Sequence, residues 1–449
     1  MILTVFLGTA SATQEFTDDV KVKVAMLIDA DSGEVLFETD NIDKQIRPAS
    51  TTKIMTCILA LENADLTDEV KISSNAGGLR GSTLGITTGE TIVMKDLLTG
   101  MMVASGNDAA VAVAEHVADS VDAFVVMMNQ KAEELGMTNT VFTNPHGLDK
   151  EEPLVTVRDM AKLAQHAFAN PVFREIVETE TFDMPMEDAK TIKNTNHLIR
   201  KDEEDDYYPY ANGMKTGATP EAGRCIVASA TKDGMNLICL LFGDPDENGP
   251  NRWPLAKKLF DHGFNNYATS DLASLLVNVD PVQVQVQDYA INDESSGLLE
   301  FEADDFSDIY VTLDKDVMSK ILDGTYTVSA NKTFGSDILA PVEQGEMLGT
   351  VTYTCDDTED VLYSGNLIAP RAVAVSGMEP DASGNTAVET MPPTVPEEIV
   401  TAGDNKLIWI WLIIPVGLVV FLVIRLITVN KRKRRRFKRR RPHYSYRIK

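Results

Sequence analysis

Three short motifs stand in one order along this 449-residue chain: Ser50-Thr51-Thr52-Lys53, then Ser105-Gly106-Asn107, then Lys215-Thr216-Gly217. Together they spell a serine acyl-transfer site with a lysine where a histidine base is usual. A serine hydroxyl is a poor nucleophile and needs a base within hydrogen-bond reach. A lysine at its ordinary pKa of about 10.4 is protonated at neutral pH, so it can serve only where its surroundings favour the neutral amine. Singly the motifs say little. Ser-x-x-Lys recurs at Ser229 and Ser329, and Ser-x-Asn recurs at Ser73, Ser329, Ser364 and Ser383. Lys-Thr-Gly occurs once, and only a start at Ser50 gives the full order, with intervals of 55 and then 110 residues.

The elements that must position these residues can be read from hydropathy periods and turn chemistry. Residues 21–29 and 34–38 read as two strands joined at Asp31-Ser32-Gly33. Ser50 opens a helix whose Ile54, Ile58, Leu59 and Leu61 have the spacing of a buried face. That places the serine at a helix start, where amide N–H groups and the helix dipole favour developing negative charge, and puts Lys53 one turn away on the same face. Residues 96–102 and 108–117 read as helices with the Ser105 loop between them. Residues 123–135, ended by Gly136, and 156–169 continue the helical run. Thr143 to Gly147 form a turn cluster, and within it His146 is expected to be a structural loop residue. Strands follow around 214–216, 225–230 and 236–242, the last two turning at Asp233-Gly234, and a closing helix spans 253–263. Helices mixed with antiparallel strands predict an α+β fold. The acidic stretch 202–206 is expected to be a solvated loop. After a shift of composition near 265–270, short alternating runs such as 282–286 and 309–313 predict a small all-β domain.

The charge is lopsided. All 68 acidic residues precede Lys406, and 14 of the 41 basic residues lie from Lys406 onward, so residues 1–405 carry 27 − 68 = −41. Residues 407–424 contain no charge. Extended to residue 429 the stretch is about 34 Å long as a helix at ~1.5 Å per residue, enough to cross a hydrocarbon core of about 30 Å. Trp409 and Trp411 suit one interface, and Arg425 can snorkel at the other. A buried core helix would not be followed by six consecutive basic residues, 431–436. The positive-inside rule puts that tail in the cytoplasm and the acidic body outside. Beside a span, a basic tail suits anionic lipid better than nucleic acid. The apolar run 2–7 and Ala10-Ser11-Ala12 read as the end of a signal peptide. Cys57, Cys225, Cys239 and Cys355 are too few and scattered for a disulfide framework, and a hairpin centred on Asp233-Gly234 does not set Cys225 opposite Cys239. The six histidines form no recognisable ligand pair, so neither a metal nor a cofactor is implied.

The motif triplet resembles that of the penicillin-binding proteins and serine β-lactamases. Residues 25–38, Arg47-Pro48-Ala49-Ser50, Asn144-Pro145-His146-Gly147-Leu148 and 213–229 more closely resemble the low-molecular-mass D-alanyl-D-alanine carboxypeptidases, over about residues 22–267. The resemblance implies a β-lactamase/transpeptidase-like domain, an antiparallel sheet flanked by helices. It implies a peptidase domain (13–267) and, more loosely, a β-rich second domain (268–375), to which the composition adds a truncated signal peptide (1–12), a linker (376–405), a transmembrane helix (406–429) where some relatives use an amphipathic anchor, and a cytoplasmic tail (430–449). It further implies that Ser50 attacks the carbonyl between two D-alanines of a peptidoglycan stem peptide and that Lys53, lowered in pKa by burial and by Lys215, takes its proton. Ser105 would relay a proton to the leaving amine, Asn107 would hold the substrate amide, and Lys215 and Thr216 would bind the terminal carboxylate. Gly217 would let substrate approach the strand, and the N–H groups of Ser50 and Ala218 would form the oxyanion hole. β-Lactams would be covalent inhibitors. Some relatives carry a larger side chain at the place of Ala218. A β-lactamase would need an added carboxylate, and no Glu-x-x-Leu-Asn element stands between Asn107 and Lys215. An endopeptidase or transpeptidase would use the same machinery, and a non-catalytic penicillin-binding scaffold would not need Ser50.

Overall fold

A computed structural model describes residues 21–79, 81–148, 154–186, 190–245, 251–334 and 337–375. The chain opens with strands β1 (Val24–Asp29) and β2 (Val35–Glu38). A 3-10 turn (Ala49–Thr52) leads into helix α1 (Lys53–Asn63), and a small hairpin follows, β3 (Glu69–Lys71) with β4 (Thr91–Val93). Helices α2 (Met94–Val103), α3 (Asn107–Ala118), α4 (Val121–Glu134), α5 (Val157–Ala169) and α6 (Pro171–Val177) form the helical part. The hairpin β5 (Thr181–Met184) and β6 (Lys190–Lys193) precedes β7 (Ala211–Thr219), β8 (Gly223–Lys232), β9 (Met235–Asp244) and helix α7 (Arg252–Asn266).

Five strands make one antiparallel sheet in the order β2-β1-β9-β8-β7. Its centre is covered on both faces, which is why β1 reads as an unbroken apolar run. Successive side chains point to opposite faces of a strand. Val24, Met26 and Ile28 therefore join the core shared with α1 to α6. Ala25 and Leu27 join a second core with Trp253, Leu259 and Phe260 of α7. Helix α1 is buried from Lys53 through Ala60. β8 and β9 turn at Asp233-Gly234 with Lys232 opposite Met235, and Cys239 pairs with Ala228 rather than Cys225. All four cysteines are free and buried. Burial pushes the Cys225 thiol up to about 12, so it stays protonated and unreactive.

Residues beyond 267 build a third apolar core from β10 (Tyr267–Asp271), α8 (Leu272–Leu275), β11 (Val282–Gln285), β12 (Leu298–Phe301), β13 (Tyr310–Asp314), α9 (Lys315–Leu322), β14 (Val328–Thr333), β15 (Met347–Cys355) and β16 (Val361–Ile368). The expectation of an all-β segment is corrected by α9. Asp314 caps it through the Asp316 amide, Met318 and Ile321 are its buried stripe, and Asp316 pairs with Lys320 one turn on. These are ordinary start and face signals, too short to stand out among alternating strands. Hydroxyls join this region to the sheet: Thr269 Oγ1 donates to Asp29 Oδ2 at 2.6 Å, and Ser32 Oγ lies 2.7 Å from Thr312 Oγ1. The expected signal peptide, linker, span and tail lie outside the described residues. Among the described residues no helix is long and apolar enough to cross a membrane.

Candidate active site

Ser50 sits in the 3-10 turn rather than in the helix proper, and the turn is stapled by its own hydroxyls. Thr51 Oγ1 donates to the Pro48 carbonyl at 2.6 Å, and Thr52 Oγ1 to the Ala49 carbonyl at 2.9 Å. Ala49 has φ 49°, left-handed backbone that an L-residue adopts at a cost of about 1–2 kcal/mol. The loop of Asn144 to Leu148 braces this turn. A Cβ at Gly147, where φ is 82°, would fall 1.8 Å from the Ala49 carbonyl oxygen, so only glycine permits the two backbones to meet. Asn144 Oδ1 accepts from the amides of His146 and Gly147, and Thr56 of α1 donates to the Pro145 carbonyl at 2.6 Å.

Lys53 opens α1 directly after this turn and is fully buried. Its Nζ donates to Ser50 Oγ at 3.1 Å, Asn107 Oδ1 at 2.7 Å and the His146 carbonyl at 2.9 Å. Burial, reinforced by the charge of Lys215, lowers its pKa well below the usual lysine range, with Asp108 pulling the other way. A neutral amine facing the serine hydroxyl is the form that can accept its proton.

Ser105 lies between α2 and α3, nearly buried, with φ 62°. Asn107 begins α3. Its Oδ1 takes the Lys53 hydrogen bond, so its Nδ2 is turned away from the lysine as a donor. Asp108 is buried and accepts from the amides of Leu84 at 2.9 Å, Gly85 at 2.8 Å and Ile86 at 3.3 Å, tying the 84–86 loop to the start of α3.

Lys215, Thr216, Gly217 and Ala218 lie on β7, the last strand of the sheet in that order. Lys215 is buried, its Nζ donates to the Thr216 carbonyl at 3.0 Å, and burial brings its pKa down to about 7. A Cβ at Gly217 would lie 3.0 Å from the Ser50 amide nitrogen, 3.1 Å from Ala49 Cβ and 3.2 Å from the Pro48 carbonyl. The close approach that this glycine permits on that side is therefore between strand and serine turn, a packing role beside the expected one toward substrate. Ala218 is exposed. Thr216 Oγ1 donates to Thr195 Oγ1 at 2.6 Å, and the Thr195 amide donates to the Val103 carbonyl at the end of α2.

The three motifs thus converge: the amine of the first touches its own serine and the asparagine of the second, and the strand of the third runs against the serine turn. Over this arrangement, the family model described as D-alanyl-D-alanine carboxypeptidase, Peptidase S11, matches residues 9–246. The chain belongs to this family. It is 33% identical over 347 residues to the D-alanyl-D-alanine carboxypeptidase DacF of Bacillus subtilis, covering 75% of this chain and 82% of the relative. It is 30% identical to the carboxypeptidase DacA of Escherichia coli K12, covering 79% and 88%. Penicillin binding protein 5 of Haemophilus influenzae superposes with a TM-score of 0.65 at 28% identity, covering 79% of this chain and 98% of that structure. Mixed helices and strands of the penicillin-binding-protein transpeptidase-like fold are common to both.

Sequence reasoning missed Thr195, Asp108 and the His146 carbonyl as parts of the site. The first two act through hydrogen bonds to neighbours, and the third through a main-chain oxygen, which no residue type reveals. His146 is a loop residue whose ring nitrogen Nδ1 accepts from the Leu148 amide, and burial lowers its pKa to about 4. The acidic stretch is not merely solvated. Asp202 pairs with Lys193 and Arg200, and Asp206 pairs with His197. His197, Glu203 and Asp206 bring ligand-type atoms within 4.8 Å of one another, a proximity that their spacing does not announce.

Proposed function

We propose that this chain is a serine-type D-alanyl-D-alanine carboxypeptidase that removes the terminal D-alanine from peptidoglycan stem peptides through an acyl-enzyme on Ser50. One observation carries the reading: the neutral-biased, fully buried Lys53 amine 3.1 Å from Ser50 Oγ. Lys53 takes the hydroxyl proton as Ser50 Oγ bonds to the penultimate D-alanine carbonyl carbon. The amides of Ser50 and Ala218 receive the oxyanion, a contribution of about 3–4 kcal/mol where both donors are preorganised. Ser105 passes a proton to the leaving D-alanine nitrogen as the peptide bond breaks, and water then cleaves the ester. Asn107 Nδ2 donates to the substrate's amide carbonyl. Lys215 and Thr216 hold the terminal carboxylate. Penicillin enters the same steps and leaves a long-lived acyl-enzyme.

The proposal includes the partition of the chain into a peptidase domain to residue 267, a β-rich domain to 375 and a linker to 405. A span at 406–429 then tethers the catalytic body outside the cell, with the basic tail inside. The charge-free run, the interfacial tryptophans and the 431–436 basic cluster support this orientation. The same fold serves another acceptor. A mutant of the Streptomyces K15 DD-transpeptidase superposes with a TM-score of 0.51 at 30% identity, covering 55% of this chain and 98% of that one. The test is labelling with a fluorescent penicillin, Ser50→Ala as control, followed by assay of free D-alanine against cross-linked product. Absence of wild-type labelling overturns the site. Cross-linked product in place of free D-alanine overturns the carboxypeptidase reading in favour of transfer to an amine.

A further inference from the structure

A cleft of about 1140 Å³ opens where the β1–β2 turn, the α5 and α6 helices and the start of β13 meet. Neither Ser50, Lys53, Ser105, Asn107, Lys215 nor Thr216 lines it. It exceeds the ~300–1,000 Å³ usual for small-ligand sites, so it has room for an extended ligand. Across the ends of β7, β8 and β9 runs a chain of polar groups. Asn212 Nδ2 donates to Thr231 Oγ1 at 2.8 Å, Thr231 Oγ1 to Asn236 Oδ1 at 2.7 Å, and Asn236 Nδ2 to Asp31 Oδ2 at 2.9 Å. Each carboxamide nitrogen has a second hydrogen to donate, and each carboxylate has further lone pairs to accept with. Tyr310, 46% exposed, sets an aromatic ring at the rim contributed by the region beyond 267.

The charges decide the class of ligand. Arg158, Lys162, His166 and Arg174 line the cleft; the first three are already paired, with Glu38 and Asp43, with Asp159, and with Glu62, and Arg174 donates to the Phe168 carbonyl and lies over the Phe168 ring. Asp31, Glu178 and Asp308 face the same space. An anion would meet these carboxylates, and a cation would meet the arginines. A neutral ligand dense in hydroxyl and amide groups meets neither penalty, finds pre-oriented partners along the floor, and can lay an apolar ring face on Tyr310.

We infer that this cleft is a second binding site, for a neutral oligosaccharide, held between the catalytic part and the region that follows it. The inference rests on the hydrolase reading only for its purpose: substrate peptides attached to a sugar chain would be held by the chain as well as by the terminal carboxylate. The probe is the β-1,4-linked tetramer of N-acetylglucosamine, titrated by calorimetry into the full-length protein and into Ser50→Ala. Both are expected to bind it saturably and equally. Tyr310→Ala and Asn236→Ala are each expected to weaken binding about ten-fold or more, and Tyr310→Phe to leave it near the wild-type value. Tyr310→Ala should release D-alanine from a short soluble peptide at the wild-type rate, yet act several-fold more slowly on sugar-linked fragments. Absence of saturable binding, or binding that survives Tyr310→Ala unchanged, overturns the inference. Failure of D-alanine release by the wild type would instead overturn the hydrolase reading and leave the titration to be judged by itself.

Discussion

Two buried lysines with different duties make the residue scale quantitative. In the proposed reaction Lys53 must be neutral to take a proton, so activity should be lost as pH falls through its lowered pKa. In the same proposal Lys215 must be charged to meet a carboxylate, so activity should be lost as pH rises through about 7. The pH profile of kcat/KM for a D-Ala-D-Ala peptide, which reports the free enzyme, is therefore expected to be bell-shaped with its alkaline limb starting near 7. In Lys215→Arg the alkaline limb should move to the end of the accessible range, because a guanidinium stays protonated, at whatever absolute rate survives. An unmoved limb would assign that titration to another group. Thr195 makes a second prediction. Thr195→Val removes the acceptor of the Thr216 hydroxyl, and kcat/KM should fall about ten-fold, the equivalent of the ~1–1.5 kcal/mol of one hydrogen bond, with Thr195→Ser recovering most of it. The motif residues were legible because the chemistry demands their types at those places. Thr195, Asp108 and the His146 carbonyl were not, because what matters in them is where folding brings an oxygen.

At the scale of elements, the site is an agreement among a turn, a loop, a helix start and a strand. The periodicities that announced α1, α3, α5 and the β8–β9 hairpin were strong because each buries one face or both. α9 escaped because eight residues carry barely two turns of pattern. The 3-10 turn at Ser50 escaped because its own hydroxyl staples, Thr51 to Pro48 and Thr52 to Ala49, differ little from a helix start in sequence, and the loop that braces it lies far along the chain, outside any local window. The bracing loop gives the prediction at this scale. Gly147→Ala cannot be accommodated against the Ala49 carbonyl, and it should cost about 3 kcal/mol or more in denaturant unfolding. Its penicillin acylation rate should fall by more than that loss of folded population explains. Asp108→Asn should be milder in the same unfolding measurement, loosening the 84–86 loop from the start of α3, since a neutral amide keeps only part of the carboxylate's accepting capacity.

The whole molecule sets the field in which the substrate arrives. A body of −41 repels a peptide that ends in a carboxylate, so long-range steering opposes capture and the buried cation at the site must act at short range. Raising the ionic strength from low values toward physiological should therefore increase kcat/KM for an anionic peptide a few-fold, and for a peptide amide hardly at all. A decrease would mean that local cations dominate even at a distance. Composition made this charge legible from the start. The arrangement of the region beyond 267 against the sheet was not legible, because it turns on single hydroxyls such as Thr269, Thr312 and Ser32 that any surface could carry.

The contact across Gly217 has a practical corollary. Ser50 and Gly217 lie 167 residues apart in the catalytic fold, yet they pack so closely that a single added Cβ at Gly217 would reach to 3.0 Å from the Ser50 amide. A serine that acylates is thus a serine whose distant strand has already docked. Penicillin, on this geometry, is a census-taker: the stoichiometry of its covalent label counts the molecules in a preparation whose β7 has closed on the serine turn, and leaves uncounted those that are compact but unfinished.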